Sequence, residues 1–282
     1  MSAGDAVIRV LGADPAVYRP ILRAQSILIS RRSRLGRGTG RGRVATKGIT
    51  PFQLRCFLMA VFSVMMLAWI VSSASPIFGV ALVLTAGASF LVLDFLFDKF
   101  DLLADAGEYQ VIAAHPHDAW SVILAKIVAI GRSLAALAAS LFLIPAIGAG
   151  FAFHSVWVGV AFALSAAALT IVVSAGGVVV SALVIAWGGR QALLRLIPVA
   201  HITYLVFYLG LIAARQELTR ISVPRLDALG WLQWALPSMW FAAPVEWASG
   251  HAGAAAIGRG SLALASIALL LPLSARWVRT RF

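Results

Sequence analysis

The chain has 282 residues, of which 61% are hydrophobic and only 12% are charged, and its mean hydropathy is +0.93. Because about half of the residues in a soluble domain are apolar, this composition excludes an ordinary soluble enzyme and predicts a polytopic membrane protein. The length accommodates about six spans of roughly 20 residues together with their connections. The single cysteine, Cys56, excludes a disulfide framework and a cysteine-based metal site.

Residues 1–51 carry ten of the 23 Lys and Arg residues, against two Asp. The apolar spacing from Ala6 to Ile29 predicts an amphipathic helix on the membrane surface, followed by a basic linker near anionic lipid headgroups. This charge predicts a cytoplasmic N-terminus and explains the net charge of +12 without a nucleic-acid partner. We expect no cleavable signal, because the first apolar run begins only near Phe52. We therefore divide the chain into a cytoplasmic segment, 1–51, and a six-span transmembrane domain, 52–282.

Long apolar runs predict six transmembrane helices. They are Phe52–Val71, Ile77–Phe97, Val122–Phe153, Val156–Trp187, Ile197–Ala214 and a last span around Leu262–Leu273. We expect the third span to be broken near Pro145 and the Gly148/Gly150 pair, and the long fourth span to be tilted or kinked. Arg190 and Arg195 predict a cytoplasmic turn between the fourth and fifth spans, which leaves both termini in the cytoplasm.

Between the fifth and last predicted spans lies GWLQWALPSMWFAAPVEWASG, which carries four tryptophans. These indoles are typical of an aromatic belt at the membrane interface. The alternative is a re-entrant pair of short helices that turns at Pro237 and Pro244, which requires protein to cover the backbone. We favour the re-entrant pair, because the segment is too apolar for a loop in water and too interrupted to span. Trp240 and Glu246, together with Arg132 in the third span, are candidate pathway or bundle residues, and the sequence does not separate these two roles.

The stretch DKFDLLADAGEYQVIAAHPHDAWS, 98–121, holds five of the eleven acidic residues. Asp94, Asp98, Asp101 and Asp105 have the spacing of one helix face, which could hold Mg²⁺ and a diphosphate. This face superficially resembles the aspartate-rich motif of intramembrane aromatic prenyltransferases, although the chain lacks their second motif. The favoured interpretation is an acidic helix end that pairs with basic groups on a partner.

Several common catalytic motifs do not occur in the sequence: GxxxxGK[ST], GxSxG, HExxH and CxxC. The chain therefore has no phosphate-binding loop for ATP hydrolysis of its own. His115, His117 and Asp118 supply fewer ligands than the four of a usual structural zinc site. We expect no metal there and interpret these residues as a contact with a partner.

The segment GEYQVIAAHPHDAWSVILAKIVA, Gly107–Ala129, resembles the cytoplasmic connection between the second and third spans of type-2 ABC exporter permeases. LGADPAVYRPILRAQ and LPSMWFAAPVEWASG look like the surface helix and the re-entrant segment of the same family. The resemblance implies an all-α, six-helix permease in the bacterial inner (plasma) membrane, in contact with membrane lipids. It also implies dimerisation with a second permease copy or a paralogue, and a separate ABC ATP-binding subunit as the source of energy.

In this family the cytoplasmic connection contains a coupling helix that contacts the ATPase. The resemblance assigns that coupling role here to Glu108, Tyr109, Gln110, Val111, His115, Pro116, His117 and Asp118. A mixed polar and apolar helix face is suited to a groove on a soluble subunit. The implied protein is a transport subunit without a cofactor, since ATP and Mg²⁺ are bound by the partner. The alternatives are an intramembrane prenyltransferase-like enzyme and a structural subunit of a membrane enzyme complex.

Overall fold

The computed structural model of the chain describes residues 13–31, 50–73, 75–95, 119–213 and 230–281, and their regular structure is entirely α-helical. These residues form nine helices: α1 Pro15–Arg31, α2 Pro51–Ser72, α3 Pro76–Asp94, α4 Ala119–Ala152, α5 Val156–Ala213, α6 Leu232–Ala235, α7 Pro237–Trp240, α8 Ala243–Ala248 and α9 Ala254–Arg281. Three of them, α6 to α8, are single turns or little more, and the others are long.

The starts of α2 and α3 follow from their capping residues. The Thr50 hydroxyl accepts the Gln53 N–H at 3.2 Å, and the Gln53 side chain accepts the Thr50 N–H at 2.8 Å, which makes a capping box. The Ser75 hydroxyl accepts the Phe78 N–H at 3.5 Å. A proline follows each cap, where its missing N–H and fixed φ cost nothing. The two helices are therefore separated by a connection of only three uncharged residues, 73–75.

Helix α4 is the centre of the bundle, with contacts to α1, α2, α3 and α5. Helix α3 is the most enclosed of the long helices, since 61% of its most apolar 18-residue stretch is buried. The main core lies where α2, α3, α4 and α5 meet, and its fully buried side chains include Met66, Leu84, Leu134, Leu141 and Phe162. In this core the Phe142 and Phe162 rings pack edge to face with centroids 6.2 Å apart, an arrangement that aromatic quadrupoles favour.

Five of the described helices are long and apolar enough to cross a bilayer. The corresponding segments are Phe52–Ser72, Pro76–Asp94, Leu124–Ala152, Val156–Val184 and Ala254–Arg276. A hydrocarbon core of about 30 Å needs about 20 apolar residues in a helix, and the segments have 19 to 29 residues. The part of the chain that the structure describes is therefore all-helical, and its long apolar helices are compatible with a polytopic membrane protein, the class that the composition predicted.

Helix α5 differs from the prediction, because it is continuous through Arg190 and Arg195 as far as Ala213. The predicted cytoplasmic turn at these two arginines is therefore wrong. Arginine is a good helix former, so a pair of arginines marks membrane sidedness without ending a helix. At 1.5 Å per residue the 58 residues of α5 make a helix of about 87 Å, which is roughly twice the full thickness of a bilayer.

Helix α4 is also continuous, with Pro145 inside it, so the predicted break in the third span is wrong. The glycines near this proline serve the packing of α4 against its neighbours. A Cβ at Gly159 of α5 would lie 2.9 Å from the Ala146 carbonyl oxygen and 3.5 Å from the Cα of Gly150. The two glycines let the backbones of α4 and α5 approach closely, which is how small residues act in membrane helix pairs.

The bundle has two ends, which the packing of α3, α4, α5 and α9 defines. Phe95, just after α3, lies against Gly177 of α5, and it lines the same groove as Leu124 of α4 and Ala275 of α9. We call this the α1 end, because α1 packs there on Leu124. The α2–α3 and α4–α5 turns and the start of α9 lie at the opposite end. Helices α5 and α9 thus run in the same direction.

Candidate functional site

The short helices α6 to α8 are packed into the opposite end of the bundle. Helix α7 contacts α3 and α9, and α8 contacts α5 and α9. The side chains of Met239, Phe241, Ala242 and Val245 are at most 2% exposed and belong to the main core. The prediction that this segment forms short helices against the bundle is therefore consistent with the packing, whereas an aromatic belt alone would leave them at the surface.

A hydrogen bond shows how far the segment reaches along α3. The hydroxyls of Ser238 and Thr85 are 2.7 Å apart. The Thr85 hydroxyl donates to the Ala81 carbonyl at 2.8 Å, so Ser238 is the donor in the pair. Thr85 is the tenth residue of the 19 in α3, about 14 Å from the start of that helix. The segment thus reaches about half the depth of a span of this length.

Three polar side chains form a buried cluster between α6, α8 and α9. The Arg259 guanidinium is completely buried, and Glu246 and Gln233 are 2% and 5% exposed. One terminal nitrogen of Arg259 donates to Gln233 Oε1 and the other forms a salt bridge with Glu246 Oε2. A guanidinium suits this position because its planar fork holds two acceptors in fixed directions. The cluster ties the first and last of the short helices to the start of α9.

The residues on either side of Arg259 explain how the tryptophans fit. A Cβ at Gly258 would lie 2.9 Å from the Trp234 ring, and one at Gly260 would lie 2.5 Å from the Trp247 ring. Each ring therefore occupies the space that a side chain on α9 would need. In the sequence Gly-Arg-Gly, the backbone of each glycine contacts one tryptophan ring, and Arg259 lies between the two glycines. The ion pair is buried beside these rings.

Local hydrogen bonds satisfy much of the irregular backbone of the segment. The Trp240 indole N–H donates to the Trp234 carbonyl at 3.0 Å, which joins α7 to α6. After α8, the His251 N–H donates to the Glu246 carbonyl at 2.9 Å, and Gly250 makes the turn with φ +79°. Backbone at membrane depth is tolerated only when its polar groups have such partners, so these bonds are what a re-entrant segment needs.

Two of the three candidate pathway or bundle residues thus lie in the segment of short helices. Glu246 is in the buried ion pair, and Trp240 bridges two of the short helices. The sequence analysis missed Arg259 and Gln233. The signal for Arg259 was available, since it is the only Lys, Arg, Asp or Glu between Glu246 and Arg276 and it is flanked by glycines. Gln233 carries no comparable signal.

Arg132 lies elsewhere, at the α1 end, and its side chain is exposed rather than deep in the bundle. It is close enough to Tyr18 of α1 for its charge to act on the phenol. Burial raises the pKa of Tyr18, and the positive charge of Arg132 offsets part of that increase. The Asp14 N–H donates to the Ser121 hydroxyl at 2.9 Å, which further fixes α1 on the start of α4. Arg132 therefore lies near the N-terminal helix.

Asp94, the first member of the acidic face, pairs with Arg55 of α2 at 3.4 Å. Its partner is thus within this chain, whereas the sequence analysis expected one on another protein. Asp98, Asp101 and Asp105 lie outside the described residues, and so do all the predicted coupling residues from Glu108 to Asp118. Within the ranges that the structure describes, no three His, Cys, Asp or Glu side chains group as metal ligands would.

The fold and the site define a class: a helical protein of the polytopic membrane type with a buried Arg–Glu–Gln cluster beneath short helices that enter the bundle. No family model matches the chain, and no curated protein matches it.

Proposed function

We propose that this chain is the transmembrane permease subunit of an ATP-driven ABC exporter, which couples ATP hydrolysis by a separate subunit to substrate movement. The observation that supports this most is the buried segment α6 to α8, held to α9 by Arg259 and Glu246. It occupies the position that the resemblance gives to the re-entrant helices. Helix α1, packed on α4 at the other end, corresponds to the surface helix of the same family.

Force transfer would run through α4. This helix begins at Ala119, directly after the predicted coupling residues, and has 34 residues, or about 51 Å. It contacts α1, α2, α3 and α5, so a displacement at its start moves the centre of the bundle as one body. Closely packed helices transmit such a displacement because their interfaces do not deform continuously. ATP and Mg²⁺ act in the partner subunit.

The proposal includes six crossings, with both termini on the cytoplasmic side of a bacterial inner membrane, and a second permease copy. The proposed sixth crossing lies in the chain between Val184 and Gly230. One crossing there, added to the five apolar helices, gives six, and the starts of α2 and α4 then share a side with the end of α9.

The test is co-purification of the chain with a P-loop ATPase, followed by measurement of ATP turnover in lipid nanodiscs. We expect Glu108→Arg and Tyr109→Ala to lower the permease-dependent part of the turnover. His251→Arg is the matched control, because it introduces a cation at an exposed position at the opposite end. We expect it to leave turnover unchanged.

Two outcomes would contradict the proposal. The first concerns the partner: no ATPase co-purifies, or Glu108→Arg and Tyr109→Ala leave its ATP turnover unchanged. The second is Mg²⁺-dependent prenyl transfer that is lost in Asp98→Ala, which would identify the chain as an enzyme. A partner that binds and hydrolyses no ATP would instead favour a structural subunit.

A further inference from the structure

A long apolar groove of about 740 Å³ lies between α4, α5 and the last part of α9. Its volume is within the range of about 300–1,000 Å³ that is usual for ligand pockets. Leu124 and Ala146 mark its two ends on α4, and Ala163 and Val178 mark them on α5. The groove is separate from the Arg259–Glu246 cluster, since neither residue of the ion pair lines it.

The groove follows the bundle axis and opens sideways. On α4 its lining spans 22 residue steps, or about 33 Å, close to the hydrocarbon thickness of about 30 Å. Ala135, Ala139 and Leu143 on α4 line it and are exposed, at the four-residue spacing of one helix face. Ala167 and Ile171 on α5 are exposed in the same way. The opening therefore faces the surroundings of the spans, which in a membrane are lipid.

The chemistry of the lining selects an apolar occupant. The Thr170 hydroxyl donates to the Ala166 carbonyl at 2.7 Å, and the Ser174 hydroxyl donates to the Thr170 carbonyl at 2.7 Å. The Ser274 hydroxyl donates to the carbonyl of Leu271 at 2.8 Å. Because these hydroxyls use their protons within their own helices, they offer none to a ligand. The rest of the lining is mainly alanine and larger aliphatic or phenylalanine side chains.

The shape and position of the groove favour a hydrocarbon chain. Its lining runs along the helices for about 22–33 Å, and its opening faces the lipid that surrounds the spans. An acyl chain of that lipid lies in the direction of the groove and enters it from the side.

Two arginines occur beside the groove toward the α1 end. Arg276 follows Ala275, which lines the groove on α9, and Arg132 follows Gly131, which lines it on α4. Both side chains are exposed. Arginine at the level of the headgroups attracts anionic lipid, and its planar fork is suited to a phosphate. Arg276 ends its span, whereas Arg132 lies 8 residues, or about 12 Å, inside the span of α4 and reaches that level by extending its side chain.

We propose that this groove binds one acyl chain of an anionic phospholipid, with the lipid phosphate near Arg132 and Arg276. This site does not depend on the proposed transport function, because it rests on the shape and charge of the described helices. A lipid bound there would contact α4, α5 and α9 together, and so would occupy the joint between the helix proposed to receive force and its neighbours.

The experiment uses the full chain in nanodiscs that contain phosphatidylglycerol with a diazirine in one acyl chain. After irradiation, labelled peptides are mapped by mass spectrometry. We expect labels to concentrate on the groove faces of α4 and α5. Ala139→Trp and Ala167→Trp should fill the groove and lower this labelling about tenfold, or about 1.4 kcal/mol in binding. Ile147→Trp and Leu164→Trp are matched controls, since both sites are exposed on the same helices outside the groove.

The headgroup contact is tested with phosphatidylcholine that carries the same diazirine chain. We expect wild type to label better with the anionic lipid, and Arg276→Glu to remove that preference. Even labelling of all spans, or an equal loss in the control variants, would overturn the site. Equal labelling by both lipids in wild type would overturn the phosphate contact. A change of oligomeric state in Ala139→Trp, with lipid labelling unchanged, would show a protein interface instead.

Discussion

Replacing Arg259 by methionine should destabilise the protein strongly, because the substitution leaves Glu246 buried without its cation. Arg259 is completely buried and Glu246 is 2% exposed, so water screens neither charge. Breaking a buried pair by removing one partner costs about 3–5 kcal/mol. Gln233 loses its donor at the same time, which adds about 1–3 kcal/mol if no other group replaces it. Protonation of Glu246 limits the total, so we expect about 3–5 kcal/mol for Arg259→Met.

The double variant Arg259→Met/Glu246→Gln distinguishes an ion pair from simple packing. Removal of both charges avoids the buried unpaired carboxylate, and such replacements are often close to neutral. We expect the double variant to recover at least about 2 kcal/mol relative to Arg259→Met. Arg23→Met, which removes an exposed arginine of α1, is the control and should stay within about 0.5 kcal/mol of wild type.

The assay is unfolding of the purified protein by SDS titration from mixed micelles, followed by tryptophan fluorescence and repeated for all variants. The reasoning is refuted if Arg259→Met lies within about 1 kcal/mol of wild type, the size expected for an exposed ion pair. It is also refuted if the double variant is as unstable as the sum of its single substitutions, because the two charges would then be independent.

Two further predictions concern α9 and α1. Gly260→Ala should destabilise the protein by about 1–3 kcal/mol, because its Cβ would meet the indole ring packed there. Gly131→Ala, with nothing within 4 Å of its Cβ, should stabilise the protein by about 0.4–1 kcal/mol. SDS titration measures both variants, and equal effects would contradict the packing. Burial raises the folded-state pKa of Tyr18, partly offset by Arg132, so its contribution to stability is complete below about pH 10 and is lost as pH rises through the folded-state pKa. Tyr18→Phe should remove that alkaline dependence in thermal unfolding from pH 8 to 11, and an unchanged profile would contradict it.

Local sequence signals account for the helix starts and for the short helices. Thr50 and Ser75, each followed by proline, mark the beginnings of α2 and α3, and both caps form. Pro237 and Pro244 among tryptophans indicated a segment that neither spans nor lies in water, and the side chains of Met239, Phe241 and Val245 in it are buried. These features depend on residues near one another in the sequence, so the chain alone reveals them.

The buried cluster was only half predicted, because it depends on packing between distant positions. Glu246 was named as a candidate, but its partner Arg259 was not. Gln233 is 26 residues from Arg259, and nothing in the sequence joins them. Arg132 was expected deep in the bundle because it lies well inside a predicted span. Its position in the sequence does not show which face of the helix it occupies, and in the structure its side chain is exposed.

The continuity of α5 shows that charged residues alone do not predict where a helix ends. Arg190 and Arg195 indicated a turn because charges usually lie outside the membrane. Charge reports where residues sit relative to lipid, whereas the end of a helix depends on caps and backbone breakers, and arginine is neither. The composition therefore predicted the class of the protein, whereas the sidedness rule predicted the end of this helix wrongly.

Cysteine accessibility tests the account most directly, in a Cys56→Ser background with single cysteines at Ser238, His251 and Ala186. Oriented membrane vesicles are treated with a membrane-impermeant maleimide from each side in turn. The account predicts that His251→Cys and Ala186→Cys react from opposite sides and that Ser238→Cys, buried beside α3, reacts from neither. Labelling of Ser238→Cys as fast as His251→Cys would contradict a segment that enters the membrane, and labelling of the other two from one side would contradict the arrangement of α5.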